Sequence, residues 1–106
     1  MPQFYFAMTT TGSEADAARV AKELVERRLV ACANVISGLR SFYRWKGELC
    51  DESEWLITMK TTAEQIAAIK QTLPEIHPYD EPELIFLPIE DGSDGYLQWV
   101  VDSLKS

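Results

Sequence analysis

Apolar residues follow two rhythms along this chain. Phe4-Tyr5-Phe6-Ala7-Met8 is a short continuous run, as in a strand covered on both faces. Gly12-Ser13 interrupts it. Ser13 is placed to cap a helix, with Glu14 and Asp16 near the positive end of the dipole. Ala17, Val20, Ala21, Leu24 and Val25 then recur at helical spacing, and Arg27 and Arg28 close the helix at its negative end. Leu29 to Ile36 is strand-like. Ser37-Gly38 predicts a bend or bulge, because glycine accepts backbone angles that other residues avoid. The strand resumes through Leu39, Ser41, Phe42 and Tyr43, Lys46-Gly47-Glu48 reads as a hairpin turn, and Glu54 to Lys60 is the return strand. In that strand Trp55, Ile57 and Met59 share one face, and Leu56, Thr58 and Lys60 the other.

Thr61-x-x-Glu64 has the spacing of a capping box, opening a second helix whose apolar stripe is Ile66, Ile69 and Leu73. Pro74 is expected to end that helix. Leu84 to Ile89 is a fourth strand, Asp91 to Gly95 a loop, and Tyr96, Leu97, Val100, Val101 and Leu104 a short C-terminal amphipathic helix. The order βαββαβ plus a short helix predicts an α+β, ferredoxin-like fold, with an antiparallel sheet and both main helices on one face. The other sheet face is then bare, yet its strands are too apolar for water. An apolar face of that size marks an interface, and a long hairpin leaves edges that pair with another chain. The pattern therefore points to an oligomer.

With 106 residues the chain is expected to be one domain, residues 1–106, and 46% hydrophobic residues suffice for a core. Ten basic against 17 acidic residues give a net charge of −7. That disfavours nucleic acid, whose phosphates need a basic surface. The two cysteines, Cys32 and Cys50, lack the spacing of a zinc or redox motif, and Cys32 is expected to be buried. No stretch approaches a membrane span of about 20 apolar residues. Met1-Pro2-Gln3-Phe4 has no basic leader region, so a cytoplasmic location with reduced thiols is expected. Asp51, Glu52 and Glu54 read as a solvated, aggregation-blocking edge.

Candidate chemistry centres on Glu75-Ile76-His77-Pro78-Tyr79-Asp80-Glu81-Pro82-Glu83. It holds the only histidine, and its two prolines stiffen the backbone, so His77, Tyr79 and Asp80 point in few directions. A rigid polar loop between regular elements is where binding sites sit. His77 is a candidate metal ligand with Cys32, Asp80 or Glu81, because imidazole and thiolate suit copper and zinc. The plainer reading is a partly exposed histidine bonded to nearby backbone or carboxylate. Lys60 is either a cleft residue or a solvated lysine. Tyr43 and Trp45, near the hairpin tip, are read as partner-chain anchors, with Trp55 on the long strand they pair with. No Gly-rich phosphate loop, G-x-S-x-G or H-E-x-x-H occurs, so no conventional enzyme is expected. Thr9 to Gly12 has no arginine to grip a phosphate, as an acylphosphatase-like site would need.

Four blocks resemble the CutA divalent-cation tolerance family. They are Arg28-Leu29-Val30-Ala31-Cys32-Ala33-Asn34, Tyr43-Arg44-Trp45-Lys46-Gly47-Glu48, Lys60-Thr61-Thr62, and His77-Pro78-Tyr79-Asp80 with Pro82-Glu83. They stand in the family's order and span residues 28 to 83. The resemblance implies a homotrimer, with sheets packed around the axis and long hairpins pairing across subunits. It implies a role in divalent-metal tolerance or copper homeostasis, and a small-ligand cleft between subunits around Cys32, Lys60, His77, Tyr79 and Asp80. Where some family members have a first-strand cysteine and a His-His pair, this chain has Thr9 and Ile76-His77. Copper binding by His77 and Cys32 is therefore expected to be weak. The alternative implied is a trimeric small-molecule sensor, similar in build to the PII signalling proteins. Lys60 and His77 fall at opposite ends of the second helix, so they can meet only if a second subunit supplies one of them.

Overall fold

A computed structural model describes residues 2–105. Four strands form one antiparallel sheet in the order β2-β3-β1-β4. The strands are β1 (Phe4–Thr11), β2 (Cys32–Trp45), β3 (Glu48–Thr62) and β4 (Ile85–Ile89). The helices are α1 (Glu14–Glu26), α2 (Ile66–Ile76) and α3 (Asp94–Ser103). This is the expected ferredoxin-like α+β arrangement, with the extra C-terminal helix.

Strand alternation sorts the side chains. Ala7 on β1 and Ile57 and Met59 on β3 face α1 and α2 and meet Val20, Leu24, Ile69 and Leu73 in the main core. Val25, expected in the α1 stripe, is exposed. On the opposite face, Phe4 and Ile89 pack with Ala31 against Leu97, Val100 and Leu104, so α3 covers one end of that face. The rest of the outer face carries Phe6, Met8, Leu56 and the exposed Ile36, Ile85 and Leu87, with no helix over it.

Ser13 caps α1, its hydroxyl accepting from the Asp16 N–H at 3.1 Å. The α1 stop uses Arg28 at φ 60°, with Arg28 and Leu29 donating to the Val25 and Leu24 carbonyls. Gly38, at φ 93°, marks the expected irregularity in β2, between Ile36 and Leu39. Lys46 and Gly47, at φ 50° and 80°, form a two-residue turn with Trp45 opposite Glu48. Both central residues are left-handed, the geometry that matches the twist of a hairpin.

Three local expectations are corrected. The 61–64 spacing is not a capping box. Thr61 is still in β3 and its hydroxyl donates to the Leu29 carbonyl at 2.7 Å, while a 3₁₀ turn, Ala63–Gln65, leads into α2 without a side-chain cap. Pro74 does not end α2, which continues to Ile76. The return strand begins at Glu48, six residues before the expected Glu54, because the tight turn keeps β2 and β3 paired to their tips.

Candidate ligand cleft

The loop after α2 is held at the far end of β1. Arg19 on α1 donates to the Ile76 carbonyl at 2.7 Å, satisfying one of the acceptors that a helix C-terminus leaves open. His77 follows at only 7% exposure. Its Nδ1 accepts from the Tyr79 backbone N–H at 3.1 Å, which leaves the proton on Nε2 to donate to the Thr10 carbonyl at 2.8 Å. Burial pushes the imidazole pKa down, against the upward pull of the Thr10 carbonyl and the Asp16 charge. The partly exposed loop histidine expected from sequence is thus a buried, neutral pin with both nitrogens in use.

That pin aims Tyr79. Its ring lies 4.9 Å from the His77 ring, centroid to centroid, and its hydroxyl donates to Glu54 Oε2 at 2.7 Å. Burial, then the bond to Glu54 and its charge, raise the Tyr79 pKa. The hydroxyl passes so close to Gly12 that a Cβ there would stand 3.2 Å from it. Glu54 is only 6% exposed, a correction to its reading as a solvated edge charge. The β2–β3 register places it opposite Leu39, on the outer face with Leu56 and Thr10. No lysine, arginine or histidine bridges it among the described residues. Sequence reading missed this pair. Counting the register back from Lys46-Gly47 places Glu54 on the apolar face and was the available signal.

Between the hairpin and the His77 loop lies a cleft of about 670 Å³. Thr10, Leu39, Leu56 and Glu54 floor it, Tyr43 and Trp45 come from the hairpin, and Pro78, Tyr79, Asp80, Glu81 and Glu83 form the other bank. Of the residues expected at a cleft between subunits, Tyr79 and Asp80 line this cleft within one chain, whereas Cys32, Lys60 and His77 are not among its lining residues. Tyr43 and Trp45 are exposed at its mouth. Trp55 does not join them. It shares the helix-facing side with Ile57 and Met59, as the strand alternation predicts, and packs on the main core rather than beside Tyr43 and Trp45.

Cys32 and Lys60 sit elsewhere. They are register partners, and Lys60 pairs in turn with Phe6, four residues from Thr10 along β1. That is about 14 Å of strand. Lys60 Nζ donates to Asn34 Oδ1 at 3.1 Å and lies 6.0 Å from the Phe6 ring centre. Cys32 is half-buried, not buried, with its sulfur 3.5 Å from the Tyr96 hydroxyl. The contact with Cys32, then burial, push the Tyr96 pKa up to about 12. Within one chain, His77 and Cys32 do not fit a metal. They lie at opposite ends of the sheet, both His77 nitrogens are bonded, and no three His, Cys, Asp or Glu side chains among the described residues cluster around a point where an ion could sit. Thr9 is fully buried on the helix side with its hydroxyl unpartnered.

Residues 5–103 match the family described as CutA1 divalent ion tolerance protein. The chain is 43% identical over 93 residues to the divalent-cation tolerance protein CutA of Thermus thermophilus, covering 88% of this chain and 90% of that protein. It is 40% identical over 94 residues to the human protein CutA, covering 89% of this chain but 52% of that longer protein. The solved Thermus thermophilus divalent cation tolerance protein superposes with a TM-score of 0.92 at 39% identity, over 96% of this chain and 99% of the other. A crystal structure of CutA1 from Oryza sativa gives 0.94 at 30% identity, over 98% and 95%. With the match running nearly end to end, this chain belongs to the CutA1 divalent ion tolerance protein family.

Proposed function

We propose that the protein acts in divalent-cation tolerance as a cytoplasmic homotrimer, and that it is not an enzyme. The observation that supports this reading is the uncovered apolar stretch of the outer sheet face, with Ile36, Ile85 and Leu87 exposed and α3 over one end only. On the hairpin Tyr43 and Trp45 continue this face, and Phe42 at 60% and Leu49 at 70% exposure leave apolar surface on the other. The outer edge is the 14-residue strand β2, whose free backbone groups suit pairing with a second copy. A face of this kind takes an obligate interface of more than about 2,000 Å². Among the described residues no helix is long and apolar enough to cross a membrane. In this reading copper, or another divalent ion, is held weakly and only between copies, since His77 and Cys32 cannot share an ion within one chain and His77 must give up one of its two hydrogen bonds to ligate at all. Sedimentation equilibrium tests the assembly, with a folded monomer at micromolar concentration as the refuting result. Equilibrium dialysis of Cu²⁺ against wild type, His77→Ala and Cys32→Ser tests the metal. Equal uptake by all three removes both residues from any site.

A second reading, a small-molecule sensor of PII-like build, is favoured by the cleft itself. Its volume lies within the usual 300–1,000 Å³ of small-molecule sites, and aromatic and carboxylate groups converge on it. Native mass spectrometry of protein purified without added metal reads stoichiometry and retained ligand together.

A further inference from the structure

We propose that the cleft between the hairpin and the His77 loop binds an organic ammonium ion of the polyamine class; this rests on the small-molecule reading of the cleft. Three observations combine. The first is Glu54. The residue is only 6% exposed, and Tyr79 donates to Oε2 at 2.7 Å. Oε1 has no hydrogen-bond partner among the described residues, and Glu54 lines the cleft. A largely buried charge calls for a counter-charge, and none is supplied among the described residues.

The second observation is the spread of charge. Asp80, Glu81 and Glu83 stand along one bank above Glu54, and among the described residues no lysine, arginine or histidine lines the cleft. An anionic metabolite would face four carboxylates here. A bare divalent ion would need ligands converging on one point, and no such trio exists among the described residues. A flexible chain carrying several ammonium groups matches carboxylates that are spaced apart. The third observation is aromatic surface. Tyr43, Trp45 and Tyr79 flank the carboxylates. Ring faces attract ammonium groups, most strongly where water is partly excluded. Their methylene linkers also lie well against such rings. Spermidine is the probe that combines these features.

The cleft opens on the outer face and shares Tyr43 and Trp45 with the surface assigned to trimer contacts, so the measurement is made on the assembled protein. Isothermal titration of spermidine at low salt is compared in wild type, Glu54→Gln, and the double variant Asp80→Asn with Glu81→Gln. Circular dichroism and sedimentation verify fold and assembly. Saturable binding is expected, weakened about tenfold or more in Glu54→Gln and severalfold in the rim variant, with Mg²⁺ a poor competitor at equal concentration. The rim residues are exposed, so that variant remains informative should Glu54→Gln not fold. Equal affinity in the variants overturns the proposal, as does full displacement by Mg²⁺. No saturable binding, the result expected if a basic side chain of a second copy neutralises Glu54, overturns it as well. ATP is titrated in parallel. Binding of ATP without spermidine refutes the ammonium assignment and leaves the sensor reading standing, whereas binding of neither ends both.

Discussion

Replacing Tyr79 with phenylalanine isolates the interaction that organises the cleft. The ring and its packing on His77 are kept, and only the hydroxyl that donates to Glu54 at 2.7 Å is lost. The carboxylate behind it is 6% exposed and has no ion pair among the described residues. Hydrogen bonds to charged groups contribute about 1.5–3 kcal/mol net. Two features favour the lower half of that range. Glu54 lines an open cleft, so water can take over part of the bond, and phenylalanine relieves the tight approach to Gly12. The expected loss is about 1.5–2 kcal/mol, or roughly 6–16 °C in Tm for a domain of this size. Urea unfolding at one fixed protein concentration measures it, because association adds a concentration term to apparent stability. The midpoint should fall with the slope unchanged. In a Glu54→Gln background the acceptor is neutral, and the same substitution should cost only about 0.5–1.5 kcal/mol. A Tyr79→Phe protein within 0.5 kcal/mol of wild type at pH 7 would refute the reasoning. So would equal losses in the two backgrounds.

His77 should make stability depend on pH. Its folded pKa lies below the ordinary 6.5 because of burial, so between the two values the unfolded chain holds more protons. The contribution is complete above about pH 6.5 and is lost as pH falls toward the folded value, at up to about 1.4 kcal/mol per pH unit. Denaturation of wild type and His77→Gln between pH 7.5 and 5 should show the wild type losing more; parallel curves count against it. Lys46 pays a left-handed strain at φ 50° in the hairpin turn, and Lys46→Asn should stabilise by about 0.5–1 kcal/mol in thermal unfolding. Ser13→Ala removes the cap bond to the Asp16 N–H and should cost about 1 kcal/mol, with a matching loss of helical signal before the main transition.

The fold was legible where local chemistry and global pattern agree. The Ser13 cap, the Gly38 irregularity and the Lys46-Gly47 turn each require particular backbone angles, and the residues that supply them are conspicuous. The α2 start was misread because Thr61 serves a distant partner. Its hydroxyl closes on the Leu29 carbonyl 32 residues away, and that long-range bond overrides a local spacing. Strand length was under-read for a related reason. Cys50, Asp51 and Glu52 look like loop residues, yet a left-handed two-residue turn forces the arms to pair from the tip, Tyr43 opposite Cys50 and Phe42 opposite Asp51.

The site was half legible, and the missing half is instructive. Tyr79 and Asp80 stood out because two prolines make their loop rigid, and both line the cleft. His77 is bonded to backbone, as the plainer reading had it, but it is buried rather than partly exposed, and in sequence such an imidazole looks the same as one free to bind metal. What separates the cases is whether an acceptor and a donor stand at the right distance, and Thr10 and Tyr79 supply them from 67 residues away and two residues on. The same register argument splits the expected cleft. Cys32 and Lys60 pair with each other at the Phe6 level of the sheet, whereas Tyr79 reaches Glu54 beyond Thr10. Rigid strands do not let the two groups approach within a chain. Any site that uses all of them is built by two copies, and a site built by one copy has Glu54, not Lys60, at its centre. Sign of charge then follows from topology: the half-site of a single chain is acidic, and whatever fills it, ligand or neighbour, must bring the positive charge.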